Sequence, residues 1–417
     1  MSSRARAVFL MVLVLAVFSG LGISSAYAQE APPPCGGKAT ETADPCGDNT
    51  GTSKDVVETP TFDEETFNKV ADQVGKNKIG LNFAWTLVAG FLVMFMQAGF
   101  ALVETGFCRR KNAAHVIMTN FMIYAIGIIG YWLVGYALHF GGVGAIANLG
   151  GTPPLTGEFK VADWGLFGTK GFAFSGVYDV GVMVHFLFNL MFMDAAATIV
   201  TGAMAERWKF SAFVVYGFFM SMVIYPVFGN WAWGGGWLAQ LGSKLGLGHG
   251  YVDFAGSGVV HGIGGFTGLA GAAVLGPRIG KYKKDGTPNP MPGHNIPMAI
   301  LGTFILAFGW FGFNSGSTLA ATDLRISVVA VNTMLASAAG AFVAMLWAWR
   351  KLGKPDPGMC ANGMLAGLVS ITAPSAFVSP SGAMIIGAVG GVLVIESLFF
   401  LERRARIDDP VGAISVH

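Results

Sequence analysis

Long apolar stretches, each closed by a short polar or basic connection, divide the chain beyond residue 79. A helix needs about 20 apolar residues to cross the hydrocarbon core of a bilayer. On that measure the pattern predicts nine spans, at 80–106, 113–140, 178–204, 211–232, 254–276, 296–315, 325–349, 359–378 and 382–401, with a tenth starting near Pro410. Ahead of them, Arg4 and Arg6 precede an apolar run over Ala7–Val17 and then Ala26-Tyr27-Ala28. A charged start, a short apolar core and small residues at the cut describe a signal peptide over 1–28, cleaved after Ala28; an uncleaved first span is the alternative. Residues 29–78 are rich in Pro, Gly, Thr, Asp and Glu, with no sustained apolar period. They are read as an extracytoplasmic, poorly ordered segment. Cys35 and Cys46 lie there, and an oxidising compartment permits a disulfide, within or between chains.

Composition narrows the class. Hydrophobic residues make up 53% and charged residues 12%, against about 25% charged in a soluble domain. A water-facing surface cannot be built from so few charges, so soluble enzymes and disordered scaffolds are excluded. With 26 basic and 24 acidic residues there is no general nucleic-acid footprint either. The pattern describes an all-α polytopic membrane protein. Basic residues concentrate in alternate connections, at Arg109–Lys111, Arg207 and Lys209, Arg278–Lys284, Arg350–Lys354 and Arg403–Arg406. The intervening ones hold only Lys160, Lys170 and Lys244, with Arg325 at a span end. The basic connections are therefore assigned to the cytoplasm, which leaves the N-terminus outside, as a signal peptide requires.

Asp253 precedes His261 by eight residues, and Asp409 precedes His417 by eight. The first pair opens the fifth span from outside and the second opens the tenth from inside. This echo predicts two inverted five-helix repeats with a site between them.

Ionisable groups within spans are functional candidates by default. His261 is either a histidine bonded to neighbouring backbone or a pore-lining imidazole that donates, accepts or relays a proton. A haem would need axial histidines at matching depth, for which His185 and His261 are a candidate pair. No span interior carries a lysine, which argues against a retinal Schiff base, and no Cys/His cluster has zinc-site spacing. Trp231 and Trp233 end the fourth span, Phe186, Phe188 and Phe192 lie in the third, and Trp310, Phe311 and Phe313 in the sixth. Such rings serve as interface belts or packing, and their faces can also hold a small cation.

Asp253–Gly265 and Asp408–His417 resemble signatures of the ammonium transporter (Amt/Mep/Rh) family. So do Met96–Glu104, Gly202–Arg207 and Gly309–Ser317, in order, and the wording is closer to the bacterial and plant Amt branch than to Rh proteins. The resemblance implies a homotrimer of eleven-span subunits, with about nine spans and the start of the tenth present here. It also implies a C-terminally incomplete membrane domain over 79–417. By motif, His261 and His417 match the twin pore histidines, and Asp253 the acid at the base of the outer vestibule. Phe188, Trp233 and Ser317 match the outer binding site, and Phe192 and Phe313 the gate. Asp194 receives no role.

Ammonium resembles potassium in size and charge but can give up its proton. The resemblance therefore implies capture of the cation outside, deprotonation, and passage of ammonia through an apolar pore. A multi-pass inner-membrane protein with ammonium/ammonia as substrate is expected, without cofactor, metal or enzymatic activity. A cytoplasmic PII-type regulator is a possible partner through a C-terminal tail. The alternatives are an ammonium sensor, a passive Rh-like gas channel and a membrane haem protein.

Overall fold

The computed structural model describes residues 64–141, 148–149, 157–176 and 179–417. The signal peptide, Cys35 and Cys46 lie outside them. Among the described residues, eight helices are long and apolar enough to cross a membrane. In chain order they are α1 (Val70–Phe107), α2 (Arg110–Phe140), α3 (Val180–Ala203), α4 (Phe210–Ala232), α5 (Ser257–Leu275), α6 (Ile296–Ser315), α7 (Ile326–Leu352) and, after α8 (Pro357–Thr372), α9 (Pro380–Ala405). A last helix, α10, occupies Ala413–Val416. A two-stranded antiparallel ribbon, β1 (Glu158–Val161) with β2 (Trp164–Gly168), follows α2.

Three boundaries differ from the pattern. The first helix already begins at Glu64, within the segment read as irregular. Once a span has nucleated a helix, extending it through polar residues is inexpensive, and an exposed Lys76–Asp72 pair at 2.5 Å lies along that extension. The eighth predicted span, 359–378, is the 16-residue α8, about 24 Å long and short of a full crossing. It stops just before Pro374, which cannot continue the ladder. The tenth is the four-residue α10.

Polar residues set the helix starts. Asn295 and Asp356 accept the N–H of Met298 (3.0 Å) and Met359 (2.9 Å), and Ser379 that of Gly382 (3.2 Å). A proline in the first turn of α6, α8 and α9 loses nothing, because its missing N–H has no intrahelical partner. The bundle packs α1 against α6 and α3, α3 against α5, and α7 against α8 and α9. At the α1–α6 contact, a Cβ on Gly302 would stand 2.6 Å from the carbonyl oxygen of Gly99, so only glycine permits that approach. Phe121, Val215, Phe304 and Ile385 point outward and are each more than 60% exposed, which suits contact with acyl chains rather than water.

Candidate functional site

The two histidine motifs converge. In the first, the buried Asp253 carboxylate accepts the backbone N–H of Gly256 (2.7 Å), Gly258 (2.8 Å) and Val259 (2.8 Å). It thereby ties down donors that a helix start leaves without partners. The first turn of α5 is a wide π turn over Ser257–Gly262, and it carries His261. Ser257 joins this turn to the end of α8, donating to Val369 O (2.6 Å) and accepting from Ala373 N (2.8 Å). In the second motif, Asp409 accepts the N–H of Ala413 (3.0 Å) and Ile414 (2.7 Å), starting α10, which ends at His417. The imidazoles meet with Nδ1 atoms 3.0 Å apart, their planes 12° from parallel and their centroids 5.0 Å apart. One nitrogen donates and the other accepts, so the pair shares a single proton at that contact. A Cβ on Gly265 would lie 2.6 Å from the carbonyl carbon of His417, so glycine is required for α5 to pass that residue.

Burial raises the pKa of Asp253 above the usual carboxylate range, opposed by its backbone N–H partners. Burial also lifts Asp409, to about 6, against the pull of its backbone bonds and Arg207.

Aromatic rings continue outward from the pair. Phe313 lies 5.4 Å from His261, Phe192 stacks on Phe313 at 4.0 Å, and Phe188 and Trp233 lie 4.5 and 6.1 Å from Phe192. Phe313 sits in another π turn, Phe311–Ser315, the kind of local widening that re-aims side chains. The Trp233 indole donates to the carbonyl of Asp253 at 2.6 Å, which couples the aromatic mouth to the α5 start. Half-buried Ser317 donates to Phe313 O (2.9 Å), at the same end of α6. All eight residues singled out by motif thus fall along one column of contacts. On the other side of the pair, Phe100 lies 6.5 Å from His417.

Three further residues border the column, of which Trp310 and His185 were named from the sequence in other roles and His139 was not. Trp310 stacks on His261 at 5.0 Å and 13°, fixed by its indole N–H on Thr372 Oγ1 (2.9 Å). Fully buried His139 lies parallel to Trp233 at 6.2 Å and bonds Tyr131 Oη at 2.9 Å. His185 bonds Tyr136 Oη at 2.9 Å. His185 thus spends Nδ1 on Tyr136, whereas His261 spends Nδ1 on His417.

A second polar cluster holds the basic end. Arg278 binds Asp408 (Nε–Oδ2 2.9 Å) and Glu206 (Nη1–Oε1 2.6 Å). Arg109 joins Glu206 at 2.6 Å, and Arg207 joins Asp408 at 3.1 Å. These guanidiniums hold the Glu206 and Asp408 carboxyls below their ordinary range despite burial.

Fold and site together define a multi-pass membrane protein with an aromatic column ending on a buried histidine pair. The Ammonium Transporter Family model matches residues 84–417, and the chain belongs to that family. It is 50% identical to the ammonium transporter Amt2 of Archaeoglobus fulgidus, over 82% of this chain and 69% of that one. Among solved structures it resembles a sensor Amt protein (TM-score 0.73, 37% identity, 82% of this chain and 80% of that). It also resembles Candida albicans Mep2 (TM-score 0.68, 29% identity, 81% and 70%).

Proposed function

We propose that the protein moves ammonium nitrogen across the cytoplasmic membrane, as a homotrimer with one path per subunit. The supporting observation is the histidine pair at 3.0 Å, at the inner end of a column of stacked rings. A bare cation in such surroundings is strongly disfavoured, whereas neutral ammonia is tolerated far better. Trp233, Phe188 and Ser317 bind the cation at the mouth, Trp233 and Phe188 through their ring faces. Phe192 and Phe313 stack across the route and must part for passage. Asp253 fixes the start of α5 and contributes negative charge near the mouth. His261 and His417 accept hydrogen bonds from the deprotonated substrate and hold or pass its proton.

Conductance in liposomes tests the reading. An ammonium gradient should evoke flux that an equal potassium gradient does not. Equal responses to both, or to neither, would refute selective transport. The likeness to a sensor Amt protein favours ammonium sensing as the second reading. A protein that binds ammonium at the mouth yet shows no flux would support it.

A further inference from the structure

Beyond the histidine pair, on the side facing the basic end, lies a cavity of ≈ 20 Å³. That exceeds the ~10–15 Å³ needed for one water, and ammonia is of similar size. The walls come from α1, α3, α6, α8 and α10, and they are apolar except for His417, Asn362 and Glu104. Asn362 spends its amide N–H on Val411 O (3.2 Å). Glu104, on α1, is only 2% exposed. Its carboxyl accepts from Asn120 Nδ2 (2.6 Å) and from Thr201 Oγ1 (2.9 and 2.8 Å), all neutral donors. Among the described residues, no guanidinium or ammonium lies within ion-pair distance of it. Asn120 is fixed in turn by Thr198, which donates to its Oδ1 at 3.0 Å, and Gln97 donates to Thr198 at 3.0 Å. Four polar side chains from three helices, two of them directly, thus hold one carboxyl at the wall of a space that a histidine also lines.

A structural carboxylate in hydrocarbon surroundings is costly unless a cation offsets it. We propose that Glu104 is the proton-exchanging group of the inner half of the path. This rests on the transport reading above. Ammonium leaves a proton on the histidine pair and crosses as ammonia. The imidazolium proton then passes across the cavity to the Glu104 carboxylate. An O–H bond of the resulting acid breaks as an N–H bond of ammonium forms, restoring the carboxylate. One proton and one ammonia enter, and one ammonium leaves, so no other reactant is needed. Asn120 and Thr201 position the carboxyl.

The test compares wild type, E104Q and E104D in liposomes, with ammonium-evoked current as one readout. Infrared difference spectra on adding ammonium give the second. E104Q keeps the shape but cannot carry a proton, and its current should fall about 10²-fold, the usual scale for losing a proton-transfer group. E104D should retain most of it. The wild-type spectrum should show a carboxyl C=O band that shifts in E104D, a readout that holds even where E104Q fails to fold. Undiminished current in E104Q, or no carboxyl band in wild type, would overturn the role of Glu104 alone. Wild type with no ammonium-evoked current would instead overturn the transport reading beneath it.

Discussion

The motifs Asp253–His261 and Asp409–His417 share spacing, helix capping and a common meeting point, yet their acids are held differently. Asp253 is satisfied by three backbone N–H groups, and its own carbonyl anchors Trp233. Asp409 has two backbone bonds, and its neighbour Asp408 is locked to Arg278 and Arg207. The same local device is thus built into an aromatic end at one motif and an ion-pair cluster at the other. Under the transport reading proposed above, that aromatic end receives a cation, which fixed positive side chains there would repel, and the Asp253 carboxylate is satisfied by backbone N–H groups instead. At the basic end no such restriction applies, and arginines join α3, α5 and the chain entering α10.

Variants that make the two histidines unequal would break the comparison most severely. His261→Asp and His417→Asp each place a fixed acceptor in the apolar path, and both should admit potassium. Conductance with ammonium and potassium compared is the measurement. If both variants still reject potassium fully, the pair is structural. If only one admits it, the pair does not act as a unit. Alanine at either position should lower ammonium flux while leaving assembly intact.

Breaking the basic end should instead cost stability. Arg278→Met leaves Glu206 and Asp408 buried without their main partner, a loss of about 3–5 kcal/mol, read by denaturant unfolding in detergent. The carboxyls at this end also oppose one another in pH dependence. Asp408 and Glu206 have lowered values, so their contribution is present above the usual carboxylate range and is lost as pH falls through their folded values. Asp409 is raised to about 6, so its contribution is present at low pH and is lost as pH rises from the ordinary value through about 6. Asp409→Asn should abolish that loss and leave the acid-side loss intact; an unchanged melting profile between pH 4 and 7 would refute the assignment.

The sequence made the spans legible because their signal is summed over some twenty residues, and α6 begins and ends at the predicted positions, 296 and 315. It exposed His261 and His417 through an eight-residue spacing that survives the change of direction. It could not show that α8 is short, since apolar residues continue past Pro374 and hydropathy ignores the hydrogen-bond ladder. It named Trp310 among the rings of the sixth span without showing that it stacks on His261, and it passed over His139. Each becomes significant because helices distant in sequence bring a ring against it. Asn120, Thr198 and Thr201 are similar: three scattered polar residues become one cradle only after α1, α2 and α3 pack.

At the mouth, Asp253→Ala removes three backbone bonds together, costing about 0.5–2 kcal/mol as a lost helix cap. It should impair transport more than Asp253→Glu, which keeps the charge. Equal flux in the two variants would leave the carboxylate without a charge-dependent role.

The smallest effect is expected at Trp233. The ring is half-buried, edge-on to Phe192 and parallel to His139, so its removal leaves the helices around it in place. Leucine there deletes a cation–π contact of about 1–2 kcal/mol. It also removes the indole bond to Asp253 O. Since one decade corresponds to about 1.4 kcal/mol, the half-saturating ammonium concentration should rise roughly 5- to 30-fold, with little change in maximal flux or in unfolding. A drop in maximal flux at unchanged half-saturation would place Trp233 in the passage step. Its link to Asp253 would then matter more than its face toward the cation.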